Sequence, residues 1–409
     1  MIIRAKVVVT MEGPPIANGG IAVNEGKIVD VGTFDEVKTR NAGEVVDLGD
    51  SALLPGLINA HCHLDYTCLR GKIPRPKSFA DWIRAINGAK AKLSPDDYIR
   101  SIEQGFAEAK RFGTTTIGNL TAFPELVARI DAPVRTWWFG ELIDVRDPTE
   151  ANQIVARSAQ QLRSMEFWGL APHAPFTASA DLYRRCEEVA RRENVLLTTH
   201  LAESKEEMSM FRNASGPLYD FLAEIGRDMS DCGAETPLSV FLNKIKDSST
   251  SRLRPATARQ AVGMTGNWIL VHLNELTEND FDLLARSKVP FSVVHCPRSH
   301  GYFEHNAFPF EKLKGLGLNI CLGTDSLASN DDLSLFAEMR AFQRKFPSVA
   351  AEDILSMVTA NGARAFGQEK SIGKVKRGYL PDLIALPYHD GDPFEAIVAF
   401  AGEPRRLEA

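Results

Sequence analysis

The chain has no apolar run long enough to span a bilayer, no C-x-x-C pair, and no basic stretch interleaved with aromatics. Each absence removes a class of function. Without about 18 or more consecutive apolar residues there is no candidate transmembrane helix. The opening stretch MIIRAKVVVT carries charge at Arg4 and Lys6 with only a short apolar run behind it, so it does not read as a signal peptide. A cytoplasmic protein with no membrane partner is expected. The balance of 47 Lys+Arg against 53 Asp+Glu, a net charge of −6, offers no positive excess for phosphate backbones, so nucleic acid is not an expected partner. The six cysteines (Cys62, Cys68, Cys186, Cys232, Cys296, Cys321) are scattered, which argues against a disulfide framework or a structural zinc knuckle. Reduced, mostly buried thiols are expected.

What is present suits one large α/β barrel with a small companion. Short β-rich stretches open the chain (IIRAKVVVTM, GGIAVNEGKIVDVG, EVVDLG) and close it (LPDLIALP, AIVAFAG). They are expected to pair into one small composite β-sandwich domain, residues 1–54 and 368–409, around a barrel spanning 55–367. Within that span apolar runs alternate with helical patterns: LINAHCH, TTTIGN, VRTWWFGELI, FWGLAPH, VLLTTH, WILVH, PFSVVH and LNICLGTD. Eight such units predict a (β/α)8 barrel with its active site at the C-terminal strand ends, an open doubly wound sheet being the alternative. Ser94 as N-cap, Pro95 in the first turn, and Ile99, Ile102, Phe106 and Ala109 on one face predict a helix that Gly113 stops. The polar stretch 244–260 reads as a lid over the mouth or a mobile loop.

The chemistry lies in where the histidines fall. His61 and His63 end the first run, His173 the fourth, His200 the fifth, His272 the sixth, His295 the seventh, and Asp325 the eighth. A single histidine in a strand is most often a satisfied polar residue. Seven residues of metal-binding type at strand ends that converge on one barrel mouth instead suggest a divalent transition-metal site, most simply Zn²⁺ with an open position for water.

The motifs PGLINAHCHLD, HLAES, VHLNE and LGTDSLASN, with SIGKVKRGYLPDLIAL towards the C-terminus, resemble the amidohydrolase superfamily and its cytosine deaminase and chlorohydrolase-like branch. The segment SFADWIRAIN after HCHLDYT looks like the short lid of aminofutalosine deaminases, and the rest is also similar to methylthioadenosine/adenosylhomocysteine deaminases. The resemblance implies that His61, His63, His200 and Asp325 bind one divalent metal, Zn²⁺ with Fe²⁺ or Mn²⁺ as alternatives. Binuclear members add a lysine on the fourth strand, and FWGLAPH has none. Glu203 would shuttle a proton, His272 would stabilise the tetrahedral centre, and Asp325 would take a second proton. His173 would contact substrate, Trp82 and Phe79 would wall the pocket, and Arg70, Arg298, His300 and His305 would meet a distal group. The nearby Glu206 and Glu207 read as helix-end carboxylates, His295 as a buttress of the seventh strand, and His389 as a surface residue. Two departures stand out: Pro381 where Ala is usual, and His300 where the branch has Asn. The implied reaction replaces the exocyclic amine of an aromatic heterocycle with oxygen, on a small-molecule substrate such as a 5′-modified adenosine; a homodimer through barrel helices is the default expectation. The rivals are a chlorohydrolase or cyclic amide hydrolase of the same superfamily, and a non-catalytic scaffold.

Overall fold

The computed structural model describes residues 1–246, 268–287 and 291–407, so the stretch 244–260 lies, from residue 247 on, outside them. Two sheets organise the described residues. The first draws strands from both chain ends: β1 (Ile2–Val8), β2 (Ile16–Asn24), β3 (Lys27–Thr33), β4 (Val45–Asp47) and β5 (Ser51–Pro55) join β15 (Leu383–Pro387) and β16 (Arg405–Leu407). Its order is β16-β15-β5-β1-β2-β3, and β4 shares one edge of β1 with β5.

The second sheet is entirely parallel. Its strands are β6 (Leu57–His63), β7 (Thr114–Thr121), β8 (Arg135–Leu142), β9 (Trp168–Pro172), β10 (Leu196–Leu201), β11 (Trp268–His272), β12 (Phe291–His295), β13 (Asn319–Leu322) and β14 (Asp325–Ser326). They pair in sequence order, with β14 returning to β6. Every residue of β6, β7, β9 and β11 is buried, as a parallel sheet covered on both faces requires. β13 and β14 stand at opposite edges of the pairing order, yet only Gly323 and Thr324 separate them. The Gly323 amide bonds the His295 carbonyl (3.0 Å) and the Thr324 amide bonds that of His61 (3.1 Å), so one broken segment spans both edges. The sheet is therefore curled, an arrangement that fits the eight-stranded barrel. Nine strands replace the expected eight because LNICLGTD breaks at this point, where Asp325 takes a φ of +58°.

The helices follow their sequence signals. Pro95–Arg111 starts at a Ser94/Asp97 capping box and buries Ile99, Ile102, Phe106 and Ala109. One expectation is corrected: AIVAFAG is not a strand. Asp392 accepts hydrogen bonds from the amides of Phe394 and Glu395, Pro393 occupies the first turn, and Pro393–Ala399 is a helix. The D-P start outweighs the β-branched content. Of the six cysteines, all unpaired, four are buried, and His389 is exposed.

The break at Gly323 fixes β6 against β12. A Cβ there would lie 2.7 Å from the His61 carbonyl and 3.0 Å from Val294 Cγ1. Gly323→Ala should cost about 1–3 kcal/mol in denaturant unfolding, because backbone must move. Gly315→Ala, where a Cβ meets nothing within 4 Å, should be nearly silent. Equal stability of the two variants would contradict this packing.

Candidate active site

Imidazoles from three strands converge at one end of the curled sheet. The Nε2 atoms of His63 and His200 face each other at 3.2 Å, and Oδ1 of Asp325 stands 3.6 Å from Nε2 of His61 and 3.9 Å from Nε2 of His63. The His61 ring centroid is 4.9 Å from that of His63 and 5.0 Å from that of His200. Both ring nitrogens of His61 are buried without a hydrogen-bond partner. Burial of an unpartnered polar atom costs about 1–3 kcal/mol, so such an arrangement calls for a ligand. Four donors on a tetrahedral ion with bonds near 2.0–2.1 Å sit roughly 3.3 Å apart. The donor set therefore fits a divalent metal.

The protonation states agree. Nδ1 of His200 lies 3.0 Å from the His173 carbonyl, which can only accept, so Nδ1 carries the proton and Nε2 keeps its lone pair. Burial pushes the His200 ring down to about 3, aided by His173 and His61, and drives His63 and His272 well below the ordinary histidine value. All three are neutral. Burial alone would raise the Asp325 carboxyl, but its contact with His61 and the nearby His272, His61 and His63 hold it well below the usual range. Ser299 Oγ donates to its Oδ2 at 2.7 Å, fixing its orientation. Cys296 also comes near His272 and Asp325. Its thiol is pushed far up, first by burial and then by Asp325, so it is a poor ligand.

Glu203 stands beside this cluster. Its Oε2 is 3.7 Å from Nε2 of His272 and its Oε1 is 4.0 Å from Nε2 of His305. Burial, then the charges of Asp325 and Glu207, push its carboxyl well above the ordinary value. The backbone holding it is strained: Ala202 (+51°), His272 (+82°), Leu273 (+50°) and Asp325 (+58°) all have positive φ, a conformation that costs non-glycine residues about 1–3 kcal/mol each and clusters at functional sites. Hydrogen bonds pin these turns together. The amides of Asn274 and Glu275 both reach the Ala202 carbonyl (2.9 Å), and Asn274 Nδ2 reaches that of Glu203 (3.0 Å). Glu207, fully buried and pushed up to about 8 mainly by that burial, accepts the Glu203 amide at 2.7 Å.

His173, Trp82 and Phe79 line the cavity in front of the cluster with His63, His200, Glu203, His272 and Asp325. Its other walls are mostly apolar, including Ile143, Phe176, Phe221 and Phe303. Arg70, Arg298 and His300 are not brought to it. Arg70 is paired with Glu108 on the Pro95–Arg111 helix, Arg298 with Asp331 and Asp332, and His300 Nε2 bonds the Asn306 carbonyl at 2.6 Å. Local carboxylates and a carbonyl have taken the groups that the sequence offered for a distal contact. His305 comes to Glu203 instead, and His295 stacks on Phe308 at 4.0 Å, as a buttress would.

Several site residues had gone unnoticed in the sequence: Glu141, Ser299, Asn274 and the anchoring roles of Glu206 and Glu207. Glu141 carried a readable signal, because it too lies near a strand end. Glu206 is more than a helix-end carboxylate. It accepts the amides of Phe79 (2.6 Å) and Ala80 (3.1 Å) and so ties down the start of the Phe79–Lys90 helix, whose N-cap is Ser78.

Imidazoles and carboxylates gathered at the C-terminal ends of a curled parallel sheet define the class, a hydrolase of α/β architecture with a metal-type donor set. Residues 52–406 match the amidohydrolase family model, and the chain belongs to the amidohydrolase family. It is 30% identical over 391 residues to a 5-methylthioadenosine/S-adenosylhomocysteine deaminase of Syntrophobacter fumaroxidans, covering 90% of this chain and 80% of that one. The enzyme of the same name from Halothermothrix orenii is 28% identical, covering 91% and 81%. Among solved structures, a zinc-bound adenosine deaminase from Xanthomonas campestris superposes with a TM-score of 0.77 at 25% identity, covering 98% of this chain and 89% of that one. Helicobacter pylori aminofutalosine deaminase shares the fold with a TM-score of 0.83 at 21% identity over the full length of both chains.

If Glu206 is the anchor of the Phe79–Lys90 helix, Glu206→Ala should speed hydrogen exchange at the Phe79 and Ala80 amides by at least about tenfold, since two charge-assisted bonds are lost. Lys205→Ala, an exposed neighbour, should not. Unchanged exchange in the Glu206 variant would exclude the anchor.

Proposed function

We propose that the chain is a metal-dependent aminohydrolase that converts a 5′-modified adenosine into the matching inosine with release of ammonia. The observation that carries the reading is one cavity region holding two carboxyls in different settings: Asp325 stands 3.6 Å from His61 within the imidazole cluster, and Glu203 stands beside the cluster, 3.7 Å from His272. Such a pair is how an acid–base assignment is recognised. The relatives named 5-methylthioadenosine/S-adenosylhomocysteine deaminase support the substrate class, as does the adenosine deaminase with bound zinc.

His61, His63, His200 and Asp325 would hold one divalent ion, Zn²⁺ in our reading. His200 has a single free nitrogen, already directed at His63, so a second ion drawing on Glu141, His173 and His200 would compete for the same lone pair. When bound, the ion supplies Lewis acidity, which brings the pKa of a water down to about 7. Glu203 takes one proton from the attacking water and returns it to ring N1 as the oxygen bonds to C6. Asp325 takes the second proton and hands it to the exocyclic nitrogen, and the C6–N bond breaks to release ammonia. His272, 3.7 Å from Glu203, stabilises the tetrahedral centre. His173 presents a neutral ring, pushed down to about 3 mainly by burial, to the purine edge, and Phe79 and Trp82 form its stacking wall. Arg146 and Lys90 line the same cavity as Ile143, Phe176, Phe221 and Phe303, and neither forms an ion pair among the described residues, so the pocket suits an apolar or a carboxylate-bearing 5′ substituent alike. Residues 1–54 and 368–409 would form the small composite β-sandwich domain, with 55–367 as the barrel, in a cytoplasmic homodimer.

With 5-methylthioadenosine, ultraviolet spectra should follow the adenine-to-hypoxanthine change, at higher kcat/KM than cytosine, guanine or a chlorotriazine. Preferred turnover of a pyrimidine, a pterin or a halogenated ring would overturn the substrate assignment. Glu203→Gln should keep bound metal and lower kcat by at least about a hundredfold. Because the working form of Glu203 is the carboxylate and its pKa is raised, activity should be lost as pH falls at values above the ordinary glutamate pKa of about 4.3. An acid limb at or below that value would contradict the role.

A further inference from the structure

Glu141 is the one carboxylate lining the cavity that the deamination chemistry leaves without a task. It lies on β8, one residue past Gly140, whose missing side chain faces the helix Ala151–Leu162: a Cβ there would stand 2.1 Å from Ser158 Oγ. Strand alternation therefore turns Glu141 to the opposite face, where it lines the cavity with His173 and His200. One of its carboxylate oxygens lies within 4.8 Å of a ring nitrogen of each. Its side chain is 6% exposed, and no hydrogen bond to its carboxylate is formed among the described residues. The nearest basic group is Nδ1 of His63, at 4.0 Å, too far for a hydrogen bond. Lys90, on the Phe79–Lys90 helix, lines the same cavity with its ammonium 4.7 Å from the Tyr66 ring centroid and with no ion pair among the described residues. Tyr66 in turn stacks on His63.

A buried carboxylate that accepts nothing is an acceptor awaiting donors. An adenine ring offers few. N1, N3 and N7 are acceptors, and the exocyclic amine must face the attack at C6. The donors of an adenine nucleoside that remain are the sugar hydroxyls, and a carboxylate reading a ribose diol is a recurrent solution in nucleotide sites. We propose that Glu141 is the ribose-reading residue of this site, accepting hydrogen bonds from the 2′- and 3′-hydroxyls, and that the enzyme is selective for ribonucleosides. The inference rests on the adenosine reading above. It makes Glu141 a binding residue set by the sugar, whichever group the 5′ position carries.

The experiment measures kcat/KM for 5-methylthioadenosine and for its 2′-deoxy and 3′-deoxy counterparts, with wild type, Glu141→Gln and Glu141→Ala, together with the metal content of each. The wild type should prefer the ribonucleoside over at least one deoxy analogue by about 10- to 100-fold, the range of one charge-assisted hydrogen bond. Glu141→Ala should lose about that factor on the ribonucleoside while keeping its metal, and its ribo-to-deoxy ratio should fall towards one. Glu141→Gln, which keeps one acceptor, should fall between. A wild type that deaminates all three alike, or a Glu141→Ala that keeps the full ratio, overturns the inference and leaves the adenosine reading intact. Loss of metal from both variants would make Glu141 a support for His63 and overturn it too. A metal-replete wild type that deaminates no adenosine at all overturns the reading and the inference together.

Discussion

The structure turns on the burial of imidazoles whose free nitrogens point at one another. His61 is fully buried with neither ring nitrogen paired, and His63 and His200 face each other across 3.2 Å. Left alone, this is a set of desolvated lone pairs with nothing to accept from. The surrounding elements nevertheless hold it in place. The His173 carbonyl fixes the His200 tautomer, Ser299 fixes Asp325, and the Thr324 amide clasps the His61 carbonyl. A framework that orients lone pairs without using them is built for a cation.

That framework also explains the strained strand ends. Ala202, His272, Leu273 and Asp325 sit at positive φ because each chain must turn abruptly from a parallel strand to bring a side chain over the sheet axis. The cross-turn bonds from Asn274 and Glu275 to Ala202 oppose relaxation. Glu203 is the beneficiary. Its amide is held by Glu207 and its carbonyl by Asn274, so its carboxyl stays between His272 and His305 in a dry setting that raises its proton affinity.

Much of this was legible in the sequence, for a physical reason: parallel strands buried on both faces read as unbroken apolar runs, so a histidine or aspartate that ends one is conspicuous. The eight runs and the convergence of His61, His63, His200, His272 and Asp325 followed from it, whereas only the family resemblance singled out Glu203 from its helix-end neighbours. What failed was whatever depended on a partner far away in the chain. Arg70 and Arg298 looked available for substrate, and the fold gave them Glu108, Asp331 and Asp332. AIVAFAG looked like a strand until Asp392 and Pro393 started a helix ahead of it. Ser299 carries no special local signature, and only the curling of the sheet brings it to Asp325.

The central claim is that one divalent ion is bound by these imidazoles and Asp325. Anomalous diffraction from crystals of the metal-replete protein, recorded on both sides of the zinc absorption edge, tests it most directly. The account predicts a single strong peak per chain, enclosed by His61, His63, His200 and Asp325. A peak centred instead on Glu141 and His173, or no peak at the cluster, would contradict it.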